Sequence, residues 1–292
     1  MMYNAFFGFN TRPFALTPDP AFLYQSRHHQ MALNMLEYGL DSQAPLLLLT
    51  GEIGSGKTTL LRRLIRDLGD SVMVGLISQT HSRTRSMLAW ATSALEIVTD
   101  GESDIELYEA LAACTVREYA RGRRTLLIID EAQNLGEDVI EELRLLSNMN
   151  SEKDLVLQIL LVGQPELRRM LSKPSMRQIA QRVAADYHLR ALKDTETEGY
   201  IGHRLIVAGG SPDLFSVEAM AIIHARSGGV PRLINQLCDM SLVYAYADSQ
   251  HTVDADVVNE VLADRESSGA LPLFAMTETA VGAHGVDGVE SW

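Results

Sequence analysis

Gly51-Glu52-Ile53-Gly54-Ser55-Gly56-Lys57-Thr58 fits the pattern GxxxxGK[ST], and its context decides the fold. The motif follows an apolar, strand-like run at 46–50. It opens a helix near Lys57 in which Leu60, Leu61, Leu64, Ile65 and Leu68 recur at helical spacing up to Gly69, a C-cap signal. Strand, glycine-rich turn and helix in that order make a phosphate loop. Glycines let backbone N–H groups approach phosphate oxygens, and the helix N-terminus favours their negative charge. Lys57 reaches the β and γ phosphates, and the Thr58 hydroxyl ligates Mg²⁺. The expected nucleotide contacts are Gly51, Glu52, Gly54, Ser55, Gly56, Lys57, Thr58 and Thr59, with ATP and Mg²⁺ as ligands. A chance match in a chain this long has a probability on the order of one in a hundred, given ordinary glycine usage.

Outward from the loop, residues 45–192 alternate apolar runs with amphipathic stretches, the pattern of a parallel α/β sheet. Five strands are predicted, at 46–50, 72–77, 125–130, 157–163 and 187–192. The third ends in Asp130-Glu131, which places two carboxylates at the C-terminal edge of the sheet, where ligands bind in such folds. Asp130 is read as a Mg²⁺ partner through water and Glu131 as the general base that polarises the attacking water. An apolar run ending in acidic residues is also an ordinary strand boundary, so this reading depends on its pairing with the phosphate loop. After residue 192 the periodicity turns wholly helical, at 194–208, 216–226, 231–247 and 254–264. Ser216 and Asp254 are expected caps, and Pro231 is expected at a first helical position. The expected organisation is an N-terminal segment and helix (1–44), a nucleotide-binding α/β domain (45–192), a small all-helical lid (193–264) and a disordered tail (265–292).

Composition bounds the function. A 46% hydrophobic and 22% charged chain of 292 residues is globular, and its net charge of −13 disfavours non-specific nucleic-acid binding as the main task. Cys114 and Cys238 lie far apart, with no metal-ligand spacing, and read as small buried hydrophobes. The first residues, Met1 to Phe7, carry neither the basic region nor the long apolar core of a signal peptide, and no apolar run approaches the roughly 18 residues of a membrane helix. The expected location is the cytoplasm, with any contact at the inner face of the cytoplasmic membrane made through a partner. His28 and His29 are adjacent, so they point to different helix faces, and both are expected at the surface.

A glutamate directly after the strand-end aspartate, with a further strand before the next helical block, resembles the AAA+ branch of phosphate-loop ATPases. That resemblance implies roles for later residues. Gln164, in Gly163-Gln164-Pro165-Glu166-Leu167, a stretch read as a turn, stands where the family places sensor 1, although a polar strand end is the plainer reading. Residues 176–183 read as a short helix where an arginine finger reaches the neighbouring subunit's γ phosphate, with Arg182 the first choice and Arg177 the second; two solvated arginines are the alternative. Gly228-Gly229-Val230-Pro231-Arg232 looks like sensor 2, with Arg232 swinging onto the phosphates. The opening, Phe6-Phe7-Gly8-Phe9, Arg12-Pro13-Phe14 and Leu16-Thr17-Pro18-Asp19-Pro20, looks like the start of the ExeA/GspA-type ATPases, and the similarity extends over residues 1 to about 264. In that family the segment before the loop wraps the adenine, so Phe14, Leu16 and Tyr24 are candidates for the base pocket, with a hydrophobic staple for the first helix as the alternative.

The resemblance implies an oligomeric ATPase, a ring or filament-like homo-oligomer such as a hexamer, that assembles or remodels a secretion or envelope system through a protein partner. A DNA-transaction ATPase like the TniB and MuB regulators is the second reading. It rests on His81-Ser82-Arg83-Thr84-Arg85 after the second strand. A nucleotide-sensing switch with little turnover is the third.

Overall fold

The computed structural model describes residues 3–78, 86–99, 103–150 and 155–267. In chain order a helical turn α1 (Asn4–Phe7) leads to α2 (Arg27–Asp41), then β1 (Leu46–Gly51), α3 (Lys57–Leu68) and β2 (Val72–Ile77). Helices α4 (Met87–Ala94) and α5 (Asp104–Ala120) precede β3 (Arg124–Ile129) and α6 (Glu137–Ser147). Strand β4 (Gln158–Gly163), helices α7 (Pro165–Leu171) and α8 (Arg177–Ala180), and strand β5 (Val183–Leu189) complete the sheet region. Helices α9 (Asp194–Val207), α10 (Val217–Ser227), α11 (Pro231–Ala247) and α12 (Ala255–Ser267) follow.

The five strands form one parallel sheet in the order β2-β3-β4-β1-β5. Strands β1 and β4 are buried along their whole length, as central parallel strands covered on both faces must be. Alternate residues of each strand enter different cores: Leu46, Leu48, Leu127 and Ile129 face α4 to α8, whereas Leu47, Leu49, Leu126 and Ile128 face α2 and α3. The order also sets the site. The loop after β1 and the acidic pair after β3 flank the end of β4, so Gln164 lies between them.

Helix ends follow local chemistry. Ser103 and Glu106 form a reciprocal capping box on α5, Ser216 caps α10, Pro231 opens α11, and Gly228 ends α10 in a left-handed conformation. The lid has its own core, and the N-terminal segment is part of it. Tyr3, Phe9 and Phe14 are buried with Tyr200, Leu205, Phe215 and Leu237, and Asp239 binds both Tyr3 and Arg12. The first 44 residues are therefore split between two bodies: the segment before α2 packs on the lid, while α2 packs on the sheet.

Three expectations are corrected. The fifth strand begins at Val183 rather than 187 and ends at Leu189, because an edge strand half open to solvent shows little apolar alternation. The region read as one helix, 176–183, is only α8 followed by that strand. The turn at Pro165 is the start of α7, with proline at its first position. The tail beyond 267 and the basic segment 81–85 lie outside the described residues.

Candidate functional site

The phosphate loop is a tight coil whose geometry requires two glycines. Gly54 (φ +79°) has the backbone of α11 against it, and a Cβ there would lie 2.4 Å from Cβ of Arg232. Gly56 (φ +101°) is the N-cap of α3, and a Cβ there would lie 2.8 Å from Nε2 of His29. Both positions take a left-handed conformation that side chains resist, and both face an occupied wall. The loop is thus clamped between α2 and the first turn of α11.

Lys57 is buried, and its ammonium donates to the carbonyls of Gly51 (2.7 Å) and Glu52 (3.0 Å). Burial lowers its pKa, while the charges of Glu131 and Asp130 act in the opposite direction. Phosphate oxygens are stronger acceptors than neutral carbonyls, so the lysine is poised to exchange one set for the other. Ser55 Oγ is buried and has no hydrogen-bond partner among the described residues. An orphaned hydroxyl beside a buried lysine fits a bound anion.

Asp130 and Glu131 leave β3 together. The carboxylate of Asp130 accepts from the backbone N–H of Glu131 (2.9 Å) and from the Thr58 hydroxyl, and both bonds oppose the upward pKa shift that burial imposes. A carboxylate and a hydroxyl held in contact at the mouth of a phosphate loop fit a magnesium ion that takes its other ligands from phosphate and water. Glu131 has φ +52°, a left-handed conformation costing roughly 1–3 kcal/mol and common at functional sites. It turns the glutamate into the cavity that Lys57, Thr58 and Thr59 line.

That cavity is also walled by the stretch 15–19, by Tyr24, and by Arg204, Tyr200, Asn235 and Arg232 of the lid. Arg62 of α3 fastens the 15–19 stretch by donating to the Pro18 carbonyl (2.6 Å). Arg232 stands in the first turn of α11, and its backbone N–H donates to Gly54 (3.2 Å). Leu16 and Tyr24, two of the three candidates for the base pocket, line the cavity. Phe14 does not. It is buried in the lid core, edge-on to Phe215 at 5.8 Å, because the chain turns inward there before it reaches the cavity.

Other candidates also move. Gln164 is not aimed into the cavity, since its Nε2 donates to Glu131 Oε2 (3.2 Å). Arg182 is half-buried and closes the C-terminal end of α6, donating to the Arg144 carbonyl (3.2 Å), Asn148 Oδ1 (2.8 Å) and the Ser147 hydroxyl. The end of a helix, rich in unpaired carbonyls, attracts such a cation. Arg177 is exposed, and its guanidinium has no partner among the described residues. Of the two candidates for an outward-reaching arginine, Arg182 is thus engaged within the chain and Arg177 is exposed.

Sequence reading placed His29 at the surface. It is buried at the phosphate loop, with Nδ1 2.8 Å from Ser26 Oγ and Nε2 3.2 Å from the Ser55 carbonyl. Its neighbour His28 meets the Tyr187 hydroxyl (3.1 Å). Arg204 was also missed, and no local pattern marks it; Asn235 of α11, just beyond Arg232, was assigned no role. Gln133, two residues beyond Glu131, was assigned no role; it donates to Glu131 Oε2 (2.5 Å).

Comparison with known proteins agrees with this geometry. Residues 40–171 match a family model described as an AAA domain. Over 253 residues, 86% of this chain, the sequence is 38% identical to general secretion pathway protein A of Aeromonas hydrophila. The chain spans about half the length of that relative, 46%. Among solved structures, the ORC2 protein of Aeropyrum pernix superposes with a TM-score of 0.65 at 19% identity, covering 89% of this chain and 72% of that one. Cdc6p of Pyrobaculum aerophilum gives 0.65 at 17% identity, covering 89% and 74%. Identities this low show a shared fold alone. The chain carries an AAA domain at residues 40–171 and is similar, over most of its length, to an ATPase of the ExeA/GspA type.

Proposed function

We propose that this ATPase works as a homo-oligomer and that hydrolysis drives the assembly or remodelling of a bacterial secretion or envelope system. The observation that carries the hydrolytic part is the convergence of Lys57, Thr58 and Glu131 on one cavity clamped between sheet and lid, with the Asp130 carboxylate bonded to the Thr58 hydroxyl beside it. Support for the cellular setting comes from the similarity to general secretion pathway protein A over most of this chain.

In this reading the backbone of residues 51–58 and Lys57 bind the β and γ phosphates of ATP. Thr58 and Asp130 would hold Mg²⁺, which when bound neutralises charge on those phosphates. Glu131 accepts a proton from the attacking water, and closure of the lid brings Arg232 toward the phosphates. Arg177, exposed and without a partner among the described residues, is the arginine that completes a neighbouring subunit's site. In this reading the region works at the cytoplasmic face, held there by a protein partner; no helix among the described residues is long and apolar enough to cross a membrane.

The test is the ATPase rate against protein concentration for wild type, Glu131→Gln and Arg177→Ala. A site shared between subunits gives a specific rate that climbs with concentration and collapses in both variants. A concentration-independent rate untouched by Arg177→Ala would sink the shared site. Pull-down with Glu131→Gln, which retains ATP, should recover envelope or secretion proteins; recovery of DNA and recombination proteins alone would replace this reading with the DNA-transaction one.

A further inference from the structure

We propose that Gln133 is a positioning residue that holds the Glu131 carboxylate in its working pose and ties that pose to the end of β4. The proposal rests on Glu131 being the general base.

Gln133 sits in the helical turn 132–134 that follows the left-handed Glu131. Its amide is fixed at both ends. Oε1 accepts the backbone N–H of Gln164 (3.0 Å) and lies over Gly163, where a Cβ would come within 2.7 Å of it. With Oε1 anchored, the amide plane has one orientation left, and it directs Nε2 at Glu131 Oε2 (2.5 Å). The side chain of Gln164 donates to the same oxygen (3.2 Å). Two amide donors thus converge on Oε2, while Oε1 of Glu131 accepts no side-chain hydrogen bond among the described residues and is left to meet a water in the cavity that Glu131 lines. A base held on one oxygen and open on the other keeps its direction without losing its acceptor, which is what general-base catalysis needs of geometry.

Residue type matters here. Glutamine offers an acceptor and a donor on one rigid plane and spans the two partners. Asparagine is one methylene shorter and cannot reach both, and glutamate would set a second carboxylate against Glu131. The link also differs from an ordinary sensor contact. Gln133 reads the backbone N–H at position 164, so any displacement of the end of β4 reaches Glu131 even when the Gln164 side chain is absent.

The experiment measures kcat, KM for ATP, nucleotide affinity and melting temperature for Gln133→Ala, Gln133→Glu, Gln164→Ala and Glu131→Gln, and for Gln133→Ala made in the Glu131→Gln background. Gln133→Ala should lower kcat roughly 10- to 100-fold, as loss of an orienting partner does, with KM, nucleotide affinity and melting temperature near wild type. The isosteric Gln133→Glu should lower kcat at least as far, and it tests the role even if the alanine variant folds poorly. Gln164→Ala should be the milder change. In the Glu131→Gln background Gln133→Ala should do nothing more, because the two act as one unit. The same fold loss in both backgrounds, wild-type kcat in Gln133→Ala and Gln133→Glu, or a loss confined to KM would overturn the proposal. Wild-type turnover in Glu131→Gln would instead overturn the general-base reading beneath it.

Discussion

The imidazole of His29 bridges Ser26 and Ser55: Nδ1 lies 2.8 Å from the serine that caps α2, and Nε2 lies 3.2 Å from a carbonyl of the phosphate loop. The neutral ring satisfies both contacts with one N–H, donated by Nε2 to Ser55 while Nδ1 accepts from the Ser26 hydroxyl. It also fills the wall against which Gly56 takes its left-handed turn. His29→Ala should destabilise the protein by roughly 1–3 kcal/mol, the cost of leaving buried polar groups unpaired, and should weaken nucleotide binding in step. Thermal melting with and without ADP checks both. A variant that melts and binds like wild type would remove His29 from the loop's support.

The same residue gives a pH prediction. Burial lowers the His29 pKa below its ordinary 6.5, so between the two values the unfolded chain binds a proton that the folded one does not. The stabilisation from His29 is therefore complete above pH 6.5 and fades as pH falls toward the depressed folded value. The gap in melting temperature between wild type and His29→Asn should narrow from about pH 7.5 to about pH 5.5. A constant or widening gap would contradict this.

His29 also shows what the sequence could and could not tell. Adjacency with His28 separates the two side chains onto different helix faces, but says nothing of what those faces meet, and α2 happens to lie under the phosphate loop. The loop itself, the acidic pair and four of the five strands were legible because each is a local pattern with a local cause: glycines at required turns, unbroken apolar runs in buried strands. Strand β5 was misread at its start because an edge strand is buried on alternate residues at most. The role of Arg182 was illegible, since an arginine becomes a cap only if the end of a distant helix is placed beside it.

Arg182 and Arg177 should separate stability from turnover. Arg182→Ala strips three acceptors at the end of α6 of their donor and should cost roughly 1–2 kcal/mol, a fall of several degrees in melting temperature. Arg177→Ala, at an exposed site, should change stability by no more than about 0.5 kcal/mol while lowering the rate of concentrated protein toward that of dilute protein. Loss of turnover at unchanged stability in Arg182→Ala would restore it as the outward-reaching arginine.

Gly54 and Arg232 make a matched pair of tests for the lid. Arg232→Ala keeps the Cβ and the backbone N–H that contact Gly54, so the lid should stay docked and only the guanidinium's hold on phosphate should go. Gly54→Ala instead drives a methyl group into Arg232 Cβ at a backbone angle that alanine resists. Titration with ATP and ADP should show Arg232→Ala weakening ATP more than ADP at unchanged melting temperature. Gly54→Ala should weaken both and lower the melting temperature. Equal behaviour of the two variants would mean that the lid is not seated on the loop through this contact.

Arg204 extends the argument to the N-terminal stretch over the cavity. Its buried guanidinium donates to the carbonyls of Pro13 (2.5 Å) and Ala15 (3.3 Å) and to the Tyr200 hydroxyl (2.9 Å), and it lies 4.8 Å from the centre of the Phe22 ring. Tyr200 in turn donates to Asn235 (2.8 Å), so one arginine joins the stretch before α2 to α9 and α11. Arg204→Met keeps much of the apolar stem but takes the donor away from two carbonyls and from the Tyr200 oxygen, which keeps only its own bond to Asn235. It should cost roughly 2–4 kcal/mol and loosen the stretch 15–19 that lines the cavity. Arg204→Lys should fall between, because a single ammonium cannot reproduce a planar fork. The measurement is melting temperature with and without ADP. If the stretch helps hold the nucleotide, the ADP-induced rise shrinks in the order wild type, lysine, methionine; an unchanged rise beside a lower baseline would make Arg204 a strut of the lid core alone.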